Sequence, residues 1–208
     1  MLYPLSYGGL AASGLPHTSS LSWVSTLTCM SVARPSLSRR AFALLVTGAA
    51  MATAGCVRQA EPAPFEARTT PPPWDAPRDA VSHIREAGLP ELPLNDTSDP
   101  HVFTMTLSVT GETLEIPAHL GVDRVRAVQA PVHTHDTSGE VWLEGQGNRE
   151  VTLGQLFTLW GVRATETSFG QFASAHLQVI VDGRSRDEGL SLVLRAVSRR
   201  LDVVVDAV

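Results

Sequence analysis

The stretch 102–109, VFTMTLSV, alternates Phe103, Met105, Leu107 and Val109 with Thr104, Thr106 and Ser108. Successive side chains of a strand point to opposite faces, so this period of two places the four apolar groups on one face and hydroxyls on the other. Thr110-Gly111 turns the chain, and Leu114 and Ile116 continue in a return strand that stops at Pro117. A second hairpin is readable at 130–145, APVHTHDTSGEVWLEG. Asp136 and Gly139 take the first and fourth positions of a type I turn, and apolar Val141 and Leu143 follow. With that loop, His135 faces Glu140 and His133 faces Trp142, both histidines on one sheet face.

Between these hairpins, from Pro117 to Val132, the pattern is irregular, with Val122, Val125 and Val128 as the expected buried anchors. Beyond them, Thr152 and Gln155 match a capping box, and Leu153, Leu156, Phe157 and Trp160 recur on one helical stripe before Gly161. That stripe has to cover the sheet. His176–Val181 reads as a strand ending at the turn-former Asp182-Gly183, and 192–194 and 201–205 are further strand candidates. A short helix is expected within 78–87, with Val81 and Ile84 on its apolar face, Ala80 and Ala87 beside them and His83 at the surface. Strands, one helix, then strands indicate an α+β domain over 78–208, a mainly antiparallel sheet of hairpins covered by one amphipathic helix.

The N-terminal quarter has a different character. No Asp, Glu, Lys or Arg occurs before Arg34; Arg34, Arg39 and Arg40 then precede the uncharged 15-residue run 41–55, and Cys56 follows. This is the layout of a signal peptide over 30–55, and the run is short of the ~20 residues a membrane span needs. Residues 1–29 then form an upstream extension, and Met30 is the expected start. Thr53-Ala54-Gly55-Cys56 resembles the lipobox of bacterial lipoproteins, with Thr53 where that pattern usually has Leu. The resemblance implies acylation of Cys56 and an extracytoplasmic, membrane-anchored protein. Ser38-Arg39-Arg40-Ala41-Phe42 also resembles a twin-arginine export signal. The stretch 56–77 carries six prolines and few aliphatic residues, and is expected as an extended tether, with Trp74 exposed on it, docked on the domain or at the lipid interface.

All 16 basic residues of the 208-residue chain are arginines, against 21 acidic ones. From Cys56 onward 13 arginines face the same 21 acids, a charge of −8. An acidic chain without a basic cluster speaks against nucleic acid or anionic lipid as a partner, because both need positive patches to displace counterions. Two cysteines, Cys29 and Cys56, rule out a disulfide framework or a cysteine-rich zinc module.

HTHDTSGEVWLE at 133–144 and TLGQLFTLWGVR at 152–163 resemble a family of uncharacterised exported bacterial proteins that share a His-Thr-His-Asp stretch, a Thr-Leu-Gly-Gln-x-Phe helix and a following Trp-Gly. The resemblance extends from Ala87-Gly88-Leu89-Pro90 to the C-terminus and implies no established activity. Relatives carry further histidines at positions that are Val102 and Thr104 here, and a cysteine pair after the Trp-Gly where this chain has Ser168 and Ala173 nearby.

One constellation offers chemistry. Two imidazoles two residues apart on a strand, His133 and His135, can share one Cu(II) or Zn(II), with Asp136 and Glu140 as nearest further donors and Glu144, His101, His119 or His176 as alternatives. The ion-free alternative has His135 paired with Glu140, His133 stacked on Trp142 and Asp136 capping its own turn. No G-x-S-x-G, P-loop, G-x-G-x-x-G or H-E-x-x-H motif occurs, so no enzyme is expected and no cofactor beyond the Cu or Zn alternative. The sequence therefore reads as a lipid-anchored, non-catalytic binding or interaction module whose protein partner or small ligand is open, with metal capture or delivery through His133 and His135 as the alternative.

Overall fold

The computed structural model describes residues 60–207. The upstream extension, the signal segment, Cys29 and Cys56 lie outside the described residues. Two helices, α1 (Ala80–Glu86) and α2 (Leu153–Trp160), accompany ten strands: β1 (Leu92–Pro93), β2 (His101–Val109), β3 (Glu112–Leu114), β4 (Val122–Asp123), β5 (Val128–Gln129), β6 (Val132–His133), β7 (Glu140–Leu143), β8 (Ala175–Val181), β9 (Arg184–Arg186) and β10 (Arg200–Ala207). The main sheet runs β6-β7-β2-β10-β8-β9, with β3 also on β2, and a small sheet runs β1-β5-β4. The fold is α+β, and every strand pair is antiparallel except β2 with β10.

That one parallel pair explains the order. Parallel neighbours need a long crossover, and here it carries the second hairpin, α2 and β8–β9 before β10 returns beside β2. The register sets Met105 by Leu201, Leu107 by Val203 and Val109 by Val205, so the alternation of both strands feeds one apolar face. Phe103, Val132, Val141, Leu143, Val179 and Val181 extend the buried core across the sheet. The α2 stripe, Leu153, Leu156, Phe157 and Trp160, is buried with them. The helix begins where the sequence indicates: Gln155 N–H donates to the Thr152 hydroxyl at 3.3 Å and Thr152 N–H to the Gln155 side chain at 2.9 Å. It ends at Gly161, left-handed at φ 79°.

Four local expectations change. The tether is docked from Ala60 onward rather than wholly extended. Trp74 is only 3% exposed, meets Trp160 and Phe169 edge-on or tilted at about 6 Å, and accepts from Trp160 Nε1–H on its carbonyl at 3.0 Å. The approach depends on Gly170, where a Cβ would lie 2.9 Å from the indole. Composition misses this because one tryptophan supplies burial that a count of aliphatics does not register. His83 is buried rather than at the surface, with Nδ1 3.4 Å from the Thr158 carbonyl and Phe65 edge-on to its ring.

In the irregular stretch Val122 and Val128 are half-buried and Val125 is 83% exposed; Leu120 and Ala130 are buried there instead, as are the polar Asp123 and Gln129. Residues 192–194 form one bridge, Val193 with Thr152, flanked by 3-10 turns. Leu192 and Leu194 are buried as alternation requires, but their partner chain turns into α2 directly after Thr152, so no ladder can grow.

A candidate metal centre on the outer face of the second hairpin

The site is built by β6 and β7, whose register pairs Val132 with Leu143 and His133 with Trp142. Alternation sends Val132 and Leu143 into the core, and His133, Trp142, Glu140 and Glu144 to the other face. The segment 117–121 runs along the free edge of β6, with Thr134 N–H donating to the Leu120 carbonyl and Ala130 N–H to the Gly121 carbonyl. Thr134 accepts from Leu120 N–H at 3.0 Å and donates to the Pro117 carbonyl at 2.6 Å, while His119 N–H donates to the Thr134 carbonyl at 3.1 Å. Gly121 permits this approach, since a Cβ at its φ of 76° would lie 2.7 Å from the Val132 carbonyl. His133 is fully buried.

The His133 ring has one nitrogen satisfied and one not. Nδ1–H donates to the Ala130 carbonyl at 3.2 Å, which fixes the tautomer and leaves the Nε2 lone pair as a ligand atom. Among the described residues Nε2 is the buried side-chain polar atom without a hydrogen bond. Leaving such an atom unsatisfied costs about 1–3 kcal/mol. It points at the Glu144 carboxylate, 3.6 Å away, beyond hydrogen-bond range. Burial pushes the His133 pKa down to about 4, with the Ala130 contact opposing and the nearby His135 assisting. The ring is therefore neutral at neutral pH and forms no salt bridge with Glu144. Burial pushes the Glu144 pKa up, the neighbouring His135 opposes this, and Asp96 adds to it. The buried Glu144 carboxyl group thus lies beside a neutral imidazole and within the field of a second acid, Asp96.

His135 completes the set. It is exposed, and its ring meets His133 edge-on at 5.0 Å and Trp142 edge-on at 5.0 Å. One donor atom from each of His133, His135 and Glu144 lies within 4.8 Å of the others. Around a tetrahedral Zn(II) with bonds of about 2.0–2.1 Å, donors would sit roughly 3.3 Å apart, closer than the 4.8 Å within which these three lie. Three protein donors leave one coordination position on the exposed His135 side.

No family model, curated protein or solved structure matches this chain.

Asp136 and Glu140, the nearest donors in sequence, are not brought into the cluster. Asp136 accepts from Ser138 N–H at 2.9 Å, capping its own turn, and the contacts with Ser138 hold its pKa below the ordinary value. Glu140 sits opposite Thr104 at the far end of β7 and is exposed. The regular strand ends at His133, so His135 leaves the ladder and folds over Trp142 instead of facing Glu140. Its stacking partner is the one expected for His133. Glu144, two residues beyond Trp142 on the same face, is the carboxylate that converges. Its signal in the sequence was parity with Trp142, which sequence distance from the histidines obscured.

The remaining histidines have other partners. His101 Nε2–H donates to the Val197 carbonyl at 2.6 Å. His119, at φ 60°, accepts on Nε2 from Arg124 at 2.7 Å. Its pKa is lowered by burial and then by Arg124 and His135, so it lies near the site without joining the cluster. His176 is exposed on β8.

Proposed function

We propose that this chain is an exported, lipid-anchored, non-catalytic binding module whose ligand is a divalent transition-metal ion, Zn(II) or Cu(II), held by His133, His135 and Glu144. The carrying observation is the buried His133 Nε2, unsatisfied and aimed at Glu144 while Nδ1–H is fixed by a backbone carbonyl. Two imidazoles and a carboxylate suit Zn(II) and Cu(II) rather than Mg(II) or Ca(II), which prefer all-oxygen shells. Export and anchoring rest on the arginine, apolar-run and cysteine order of 30–56.

Calorimetric titration of the purified full chain tests the metal. One saturable site with Kd below about a micromolar is expected, lost in His133→Ala/His135→Ala. Bound Cu(II) should quench Trp142, which stacks on His135. Absence of saturable binding would end the metal reading. It would leave an interaction module whose hairpin is held by the His135–Trp142 stack and the Asp136 turn. Membrane fractionation of Cys56→Ala tests the anchor: the variant should be released, and full retention would refute it.

A further inference from the structure

We infer that the turn 124–127, between β4 and β5, is seated at the phospholipid headgroup interface; the inference rests on the proposed acylation of Cys56. The docked segment carries the argument. The Ala60 carbonyl accepts from Arg126 Nη2 at 2.8 Å, and Ala63 N–H donates to Asp79 at 2.6 Å. Arg126 is itself held by Asp123 at 3.0 Å and Asp79 at 3.5 Å. The chain therefore joins the domain beside this turn.

Only Val57, Arg58 and Gln59 separate Ala60 from Cys56. Four residue steps span at most about 14 Å, less than half the roughly 38 Å diameter of a domain this size. An acylated cysteine must lie at the bilayer surface, so the face around Ala60 cannot turn away from it.

The turn has a surface suited to that place. Val125, 83% exposed, is the most exposed large hydrophobic residue described, more so than Leu94 or Val193 at under 40%. It is flanked by exposed Arg124, which donates to His119, and by half-buried Arg126. An exposed apolar tip matches an interface whose acyl boundary accepts the valine, and the charges beside it balance, with Arg126 paired to Asp123 and Asp79, so apolar contact rather than attraction to anionic lipid seats the turn. The opposite edge of the main sheet, β9, lies five strand spacings from β6, roughly 24 Å away.

The test uses the acylated full chain. Val125→Cys and Ser185→Cys each introduce the sole reactive thiol, since Cys56 is blocked and Cys29 leaves with the signal segment. Each is labelled with an environment-sensitive fluorophore and reconstituted in phosphatidylethanolamine–phosphatidylglycerol vesicles containing headgroup-level nitroxide lipid. The label at 125 should be quenched at least about twofold more than that at 185, and a flexible insert of about twenty residues after Gln59 should reduce the difference. Mass analysis of Cys56 in the same samples separates the two ideas. Acylated protein with equal quenching at both positions overturns the seated turn and leaves the anchor standing. An unmodified Cys56 overturns the anchor and the seating with it.

Discussion

The two faces of the β6–β7 hairpin differ in how completely they satisfy their groups. On one, Val132, Val141 and Leu143 are wholly buried among apolar neighbours and leave nothing unpaired. On the other, His133 is equally buried yet has an unsatisfied nitrogen beside a carboxylate whose pKa is raised. Burial on the first face stabilises the fold. On the second it leaves that nitrogen without a partner, which costs stability and, on the proposed reading, serves binding. On that reading side-chain parity separates stability from binding, and substitutions should separate them too.

Phe157→Ala should produce the largest stability loss, about 3–5 kcal/mol in denaturant unfolding, with metal affinity unchanged in the fraction that remains folded. A matching loss of affinity would break the separation. The outer face should show the reverse pattern. Saturating Zn(II) at about a hundredfold above Kd should stabilise the chain by about 2.7 kcal/mol, and His133→Ala/His135→Ala should abolish that increment.

Acid should expose that cost directly. His133 has a folded pKa of about 4 against an ordinary 6.5, so the unfolded chain binds more protons in between. Its contribution is intact above pH 6.5 and falls as pH drops toward 4, by roughly 3 kcal/mol in the metal-free protein. Glu144, with a raised pKa, acts in the opposite sense, its penalty growing as pH rises through its folded value. Glu144→Gln should therefore steepen the acid loss in metal-free unfolding curves while weakening metal binding at least about tenfold.

The smallest effects locate the boundary of the site. Thr152→Ala, removing the capping-box hydroxyl, should cost about 1 kcal/mol of stability and nothing in affinity. Glu140→Gln should change neither, and an affinity loss there would move the third ligand back to the residue nearest in sequence.

The hairpins, the capped helix and the His-Thr-His stretch were legible because each depends on neighbours within a few positions: alternation, a turn type, a cap. The Pro-rich segment misled because prolines dominate its composition, while its fate is decided by Trp74 finding Trp160, Phe169 and a glycine about a hundred residues later. The third ligand was legible only as one of several acids. Choosing Glu144 over Asp136 and Glu140 requires knowing that β6 stops at His133 and that Asp136 is occupied by its own turn.

Sequence alone carries the elements, their apolar faces and the pair of imidazoles on one hairpin, because those follow from local periodicity and residue chemistry. Tertiary structure alone brings β10 in parallel beside β2, folds the proline segment back onto α2, and buries His133 beside Glu144. Each of those depends on contacts between residues far apart in the chain, and desolvation, which sets the pKa of His133 and leaves its nitrogen without a partner, exists only once they are made.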